Sequence, residues 1–375
     1  MSDGAADSLG RTAEELVRLA AGRLRREVWD YLSGGAESEA TIAANRAAIE
    51  RMGFVPRVLR DVSRVEERTV LLGRPLALPV FLAPIGSLAL LHPGGAPAAA
   101  RAAAASGTTA FVSLMAEPGP EAIAREAPGL VLQVYMRGDR AWLRDLVARA
   151  EAAGYAAVCL TVDSAVYGRR ERDLINRYSS SMAADRAHLG AGGGAQITAH
   201  QSGLTWDMVA ALRGMTRLPL VLKGIASPAD AALAVEAGMD AVYVSNHGGR
   251  QLDFTLGALD LLPPVVEAVA GRAEVLVDGG FLRGTDILKA LCLGARAVGL
   301  GKLQGWALAA GGEAGLRHLL ALLAEEIRTA MALLGCARLP DLSPALLRSL
   351  PAPFMPGPLS AFRGLREGQG LNAEG

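Results

Sequence analysis

From about residue 78 the chain repeats one pattern: a short apolar run, a polar or glycine turn, then an alanine-rich stretch with apolar positions at helical spacing. The runs are LPVFLAPI (78–85), TAFVSL (109–114), LVLQVYM (130–136), AAVCLTVD (156–163), PLVLKGI (219–225), AVYVSNHG (241–248), EVLVDGG (274–280) and AVGLGK (297–302). Eight strands separated by helices such as 139–154 and 227–238 predict a parallel sheet, because parallel neighbours need a crossover between them. Eight is also the number that closes a (β/α)8, or TIM, barrel. An open doubly wound sheet is the competing architecture, but the first strand is followed by LAPIGSLALLHPGG, which lacks the G-x-G-x-x-G turn of that fold. Residues 11–50 are expected as helices capping one end, and 303–336 as the last barrel helix with an extension. No shift in composition marks a boundary, so 1–375 is expected as one domain, with 1–77 as an N-terminal cap and 350–375 as an irregular Pro- and Gly-rich tail. The connection after strand 4, residues 164–218, is anomalously long. Loops of that size tend to be lids or disordered segments, and this one is expected to overhang the barrel mouth.

Hydrophobic residues make up 51% of the 375 and aromatic residues 5%, so the core must come from many Ala, Leu and Val side chains. The 38 basic residues balance the 38 acidic ones, which argues against a nucleic-acid or anionic-membrane partner held by bulk charge. Cys159, Cys292 and Cys336 are too scattered for a disulfide framework or a zinc site, and a reducing cytoplasm is the expected compartment. The N-terminus lacks a signal pattern and no run reaches membrane-spanning length. Metal catalysis is not expected, since no His or Cys pairs have ligand spacing.

In a barrel the C-terminal strand ends face the site. Here they are polar: Ser113, Gln133 and Tyr135, Thr161 and Asp163, Lys223, Ser245 to His247, Asp278 to Gly280, and Gly301 with Lys302. Singly each has a dull explanation as a strand cap or turn residue; seven strands ending this way together are hard to attribute to packing. Of five histidines only His247 sits in a chemical setting, after an apolar strand, before two glycines and three residues before Arg250. An imidazole can accept a proton near neutral pH and a guanidinium can grip a carboxylate. Asp163 is a candidate to orient that imidazole. His92 is expected as a turn or packing residue; His188 and His200 fall in the long connection, and His318 on a helix face. The glycines of DGG and GLGK end the last two strands, where barrels commonly cradle a phosphate on backbone N–H groups.

These pieces resemble the FMN-dependent (S)-2-hydroxy-acid oxidases and dehydrogenases, a family that includes glycolate oxidase, lactate oxidase and mandelate dehydrogenase. SNHGGRQLD (245–253) is the most specific element, supported by LTVDSAVYGRRERDLINRY, LKG (222–224), DGGFLRGTDILKALCLGARAVGLGK and WDYLSGGAESEATIAANRAA. The resemblance, over roughly 15–340, implies His247 as the base, Asp163 as its partner, and Lys223 beside the flavin. It places Arg250, Arg170, Tyr31 and Tyr135 on the substrate's carboxylate and hydroxyl oxygens, and Pro84, Ile85, Gly86, Ser113, Gln133, Thr161 and Ser245 on the cofactor. Asp278, Gly279, Gly280, Gly301 and Lys302 fall at its phosphate end. FMN is the implied cofactor, a 2-hydroxy acid the substrate, oxygen or another acceptor the oxidant, and a homotetramer the assembly. The alternatives are another FMN barrel, such as a type 2 isopentenyl diphosphate isomerase, or a non-catalytic flavin-binding barrel.

Several positions depart from the pattern. The arginine that grips the FMN phosphate after DGG-x is Leu282 here, with Arg283 one place later, and the last-strand arginine is Lys302. Losing one charge-assisted contact costs roughly 1.5 to 3 kcal/mol, so FMN is expected to bind more weakly than is usual. An aromatic substrate wall becomes the flexible Met115, and Pro-Arg after TVD-x becomes Ala165 and Val166. A bulkier or aryl 2-hydroxy acid is therefore expected. Gly86 leaves the choice of acceptor open.

Overall fold

The structure, a computed structural model, describes residues 9–180, 199–352 and 354. Its centre is a closed barrel of eight strands: β1 (Val80–Leu82), β2 (Thr109–Ser113), β3 (Val131–Val134), β4 (Ala157–Thr161), β5 (Leu220–Ile225), β6 (Ala241–Val244), β7 (Glu274–Val277) and β8 (Ala297–Leu300). Each strand pairs in parallel with its sequence neighbours, and β8 pairs with β1. The open sheet is thereby excluded. Every strand falls inside one of the eight apolar runs; Ser113, Gln133, Thr161 and Lys223 lie within β2, β3, β4 and β5, and the other polar residues follow the strand ends. Tyr135, Asp163, His247, Asp278 and Lys302 thus lie just past the ladder, free to point into the mouth.

Large rings fill the barrel interior. Phe81, Phe111 and Tyr243 pack with centroids 4.5 and 5.4 Å apart, joined by Val131, Cys159, Val221, Leu276 and Ala297. A side chain at Gly299 on β8 would collide with the Tyr243 hydroxyl and lie 3.0 Å from the Phe81 ring. The missing Cβ therefore lets two rings occupy one layer, and that layer is a solid floor beneath the mouth.

Among the described residues three helices precede the barrel: α1 (Ala13–Arg23), α2 (Arg26–Ser33) and α3 (Ala40–Glu50). Thr12 caps α1, its hydroxyl accepting from Glu15 N at 3.3 Å while the Glu15 carboxylate accepts from Arg11 N at 2.8 Å. The N-terminus of α3 is held from far along the chain. Asp253, last residue of the SNHGGRQLD motif, accepts from Thr41 N at 2.8 Å, Ser38 Oγ at 2.7 Å and Ala40 N at 3.3 Å. Burial works against this carboxylate, but the donated hydrogen bonds outweigh it and hold it down to about 2. Tyr31 of α2 and Arg46 of α3 consequently reach the mouth, as the capping expectation for 11–50 requires.

The final helix, Lys302–Leu334, breaks at Gly311 and Gly312 into a barrel segment and an extension that packs on α1. In the connection after β4, residues 199–218 return against the strand ends: buried Gln201 accepts from Met136 N at 2.6 Å and donates to Thr161 O at 3.0 Å. Residues 181–198 of that connection, with His188, on which the expected overhang falls, lie outside the described residues, as do 353 and 355–375 of the tail. No helix among the described residues is long and apolar enough to cross a membrane.

Candidate active site

A cavity of about 1050 Å³ opens at the C-terminal mouth of the barrel, between the strand ends and α2 and α3. His247 reaches it through an unusual backbone. Its φ is +57°, and Gly248 and Gly249 follow at +63° and +77°, so three consecutive left-handed residues reverse the chain as it leaves β6. Glycine is required at 249 by close approach as well: a Cβ there would stand 2.8 Å from the Ile42 side chain and 2.9 Å from Ile42 N.

The imidazole is fixed at both ends. Nδ1 lies 3.0 Å from Asp163 Oδ1, Ser164 Oγ lies 3.1 Å from that oxygen and 3.4 Å from Nδ1, and Nε2 faces the Tyr135 hydroxyl at 3.4 Å. With the proton on Nδ1 toward Asp163, Nε2 is left as the acceptor that faces the cavity. Burial pulls the His247 pKa below its ordinary value, with Asp163 opposing, so the ring stays neutral at neutral pH. Burial would raise Asp163, but His247 and Lys223 outweigh it and hold the carboxyl at about 2. The pair is a charged carboxylate beside a neutral base.

Lys223, on β5, donates to Ser245 Oγ at 2.9 Å and lies 3.8 Å from Asp278, which also accepts from the Tyr243 hydroxyl at 2.8 Å. Although burial disfavours its charge, Asp278 and Asp163 hold its pKa above the ordinary lysine value. A fixed cation therefore stands in the cavity wall. Arg250 donates to the carbonyls of Tyr31 and Gly34, and its guanidinium lies 4.8 Å from the Tyr31 ring centroid. Burial, then repulsion from Arg170, brings Arg250 down to about 10. Tyr31 donates to Ser87 Oγ at 3.2 Å; burial opposes its ionisation, yet Arg250 and Arg170 pull the phenol below its usual range. Tyr135 is pushed the other way by burial and by Asp163. Two guanidiniums and two phenols thus converge opposite the base.

Of the expected substrate residues, Tyr31, Tyr135, Arg170, Arg250 and Met115 all line the cavity. So do Pro84, Ile85, Gly86, Ser113, Lys223, Asp278, Gly279, Gly280, Gly301 and Lys302. Gln133, Thr161 and Ser245 do not. The Gln133 amide is turned to the Thr161 hydroxyl at 2.9 Å, and Ser245 Oγ is taken up by Lys223 Nζ and by His247 N at 3.0 Å. Asp163 likewise acts from behind His247. Asp278 carries a negative side chain engaged by Lys223 and Tyr243, so only the backbone of its DGG turn could serve a phosphate. His92 is the turn residue expected of it, accepting from Gly94 N at 2.9 Å, and His318 contacts Gly10 O from the last helix.

Sequence reasoning passed over Ser87, Ser164 and Arg46. Ser164 adjoins Asp163 and could have been found there; Arg46 lies in the quoted WDYLSGGAESEATIAANRAA motif, but its partner Asp286, 240 residues away, could not be read from it.

A family model described as FMN-dependent dehydrogenase matches residues 20–349. The chain belongs to this family. It is 44% identical over 353 residues to L-lactate oxidase of a Nostoc species, covering 89% of this chain and 96% of that protein. It is 43% identical over 334 residues to 4-hydroxymandelate oxidase of Amycolatopsis orientalis, covering 86% and 94%. The crystal structure of mandelate oxidase superposes with a TM-score of 0.83 at 41% identity, covering 90% of this chain and 98% of that one. Members of the FMN-dependent dehydrogenase family use flavin mononucleotide, and the cavity fits it. Asp278 Oδ1 is a buried acceptor without a partner among the described residues, a Cβ on Gly301 would meet open space, and Lys302, half-buried in the cavity wall, is in no ion pair with a described residue. A planar hydrogen-bonding ring with an anionic tail satisfies that set.

Proposed function

We propose that the cavity oxidises an (S)-2-hydroxy acid bearing an aryl or other bulky side chain to the 2-oxo acid, with oxygen or another acceptor taking the electrons. FMN when bound supplies the two-electron sink. The observation that carries the reading is His247, backed by Asp163 at 3.0 Å, sharing one cavity with two guanidiniums and two phenols. Arg250 and Arg170 would bind the substrate carboxylate, which offers two oxygens to a planar fork. Tyr31 and Tyr135 would orient the α-oxygen. Nε2 of His247 would accept the proton that leaves the α-hydroxyl, or the α-carbon in the carbanion version of the mechanism, and Asp163 would stabilise the resulting imidazolium. Lys223 would hold positive charge beside the ring of the cofactor, favouring its anionic reduced form.

Met115 supports the bulky side chain, because an adaptable thioether stands where a rigid ring is common in the family. The likeness to mandelate and hydroxymandelate oxidases supports it too. Acid-binding arginines and the same relatives favour this reading over a diphosphate isomerase. A homotetramer is part of the proposal on the family resemblance alone, and a cytoplasmic setting on three buried, unpaired thiols. Mixing the flavin-loaded protein with a panel of 2-hydroxy acids without oxygen tests the reading. Mandelate and its ring-substituted forms are expected to bleach the flavin faster than glycolate or lactate. No bleaching by any member overturns it.

A further inference from the structure

Gln251 belongs to the SNHGGRQLD motif but does not line the cavity. Its half-buried side chain is turned instead onto the segment that leaves β4. There Oε1 accepts from Gly168 N at 3.1 Å and Nε2 donates to Val166 O at 3.0 Å, with Asp163 O at 3.5 Å. Apolar packing does little to fix this segment, since Ala165, Val166 and Tyr167 are all exposed. Nor does a proline stiffen it, because that place in the family's pattern is Ala165 here. At Gly168 the segment lies directly on the chain that follows β6: a Cβ there would collide with Arg250 O and stand 2.6 Å from Gln251 O. Two residues later Arg170 Nε donates to the same Arg250 carbonyl at 3.4 Å.

These two segments divide the reactive groups between them. Asp163 and Arg170 come from the one after β4, His247 and Arg250 from the one after β6. Each pair acts across the gap: Asp163 Oδ1 stands 3.0 Å from His247 Nδ1, and the two guanidiniums share one cavity. We propose that Gln251 is a positioning residue that fastens the two segments together, setting Asp163 against His247 and Arg170 beside Arg250 with a single amide. This rests on the reading of His247 as the base and of the two arginines as the grip on the substrate carboxylate. An amide suits the task, because it offers a donor and an acceptor and can satisfy a carbonyl and an N–H of one loop together. The groups facing His247 are Asp163, Lys223, Arg170 and the Tyr135 hydroxyl. Lys223 is held within β5 and Tyr135 follows β3, whereas Asp163 and Arg170 ride on the fastened segment. Loosening that segment withdraws an attraction and a repulsion from the imidazolium, and the attraction of Asp163 is the larger. The base is then protonated less readily, and the substrate carboxylate keeps one well-placed arginine instead of two.

Gln251→Met keeps the length of the side chain and removes its hydrogen bonds to the loop. The flavin-loaded full-length variant would be mixed without oxygen, over a range of pH, with the 2-hydroxy acid that reduces the wild type fastest. The concentration dependence of flavin reduction gives the limiting rate and the substrate Kd at each pH. Two changes are expected together: the acid limb of the rate moves to lower pH, and Kd rises by about tenfold. FMN affinity is expected to stay close to wild type. Gly168→Ala, which parts the two backbones with the amide still in place, is expected to move limb and Kd in the same directions. On an Asp163→Asn background Gln251→Met is expected to move the limb no further down, and a further downward shift there overturns the route through Asp163. A side chain that served stability alone would lower the melting temperature and leave limb and Kd where they are. That result overturns the proposal, as does a change in only one of the two. Wild-type flavin that no 2-hydroxy acid reduces overturns the reading of the site instead.

Discussion

The two ends of the cavity solve the problem of buried charge in opposite ways. Around His247 nearly every charge has a partner inside the protein: Asp163 has the imidazole, Lys223 has Asp278, and Arg250 has the Tyr31 and Gly34 carbonyls. Those partners fix positions before any ligand arrives, which is what a proton transfer between fixed atoms needs. At the ends of β7 and β8 one lysine faces glycines and a leucine, with no carboxylate to neutralise it. That end carries no such internal pairing. Catalytic precision and cofactor retention are therefore separable properties here, and substitutions at the two ends should fail differently.

The largest separation is expected at the base. His247→Ala should lower the rate of flavin reduction by about 10²- to 10⁴-fold, the usual worth of a general base, while the flavin spectrum and affinity stay close to wild type. Stopped-flow reduction and an FMN titration on one preparation check both halves, and an unchanged rate removes His247 from the mechanism. Next comes Arg250→Met, expected to cost about a hundredfold or more in kcat/KM, mostly through KM, because charge-assisted bonds to the carboxylate are lost. The variant should also melt earlier than wild type, since the carbonyls of Tyr31, Leu32 and Gly34 lose their donor.

A smaller effect distinguishes partnered from unpartnered charge. His247 must be neutral to accept a proton, so reduction should fall on the acid side with a midpoint below the ordinary histidine value of about 6.5. Asp163 raises the histidine pKa; replacing it with Asn removes that attraction and should move the acid limb to still lower pH. The plateau should drop by about ten- to a hundredfold, because the imidazolium loses its counter-charge. A limb that moves upward would mean that Asp163 does not act on the titrating group. The pH dependence of the reduction rate in wild type and Asp163→Asn supplies the comparison.

The barrel was legible in the sequence because its strands are buried on both faces and read as largely apolar runs, with polar residues gathered toward their C-terminal ends. His247 was legible for a related reason, since two glycines after a buried strand signal backbone that ordinary residues avoid. What stayed hidden was the direction in which side chains point when their partners come from elsewhere in the chain. Arg283 could have turned into the cavity; Glu14 and Glu326, on two helices remote in sequence, turn it out. Gln133 and Ser245, which the resemblance places on the cofactor, bond Thr161 and Lys223 and do not line the cavity. Asp253 belongs to the motif that names the family, but its work is to hold the start of α3.

The smallest expected effect tests how tightly the reactive end is packed. A Cβ on Gly86 would stand 2.7 Å from Met115 Cβ, 3.6 Å from Ser113 Oγ and 3.7 Å from Met115 Cγ. The nearest atom is a Cβ, tied to the backbone, so the clash cannot be relieved by swinging the thioether aside. Gly86→Ala should thus destabilise the flavin-loaded protein by about 1 to 3 kcal/mol, the ordinary cost of overpacking. Met115→Ala keeps that Cβ and should not rescue it. Met115→Gly removes the Cβ and should, so that Gly86→Ala costs less in the Met115→Gly background by about 1 kcal/mol in a double-mutant cycle read by thermal unfolding. Equal costs in the two backgrounds would show that the loop after β1 yields instead, and that the rigidity attributed to this end stops at the His247 network.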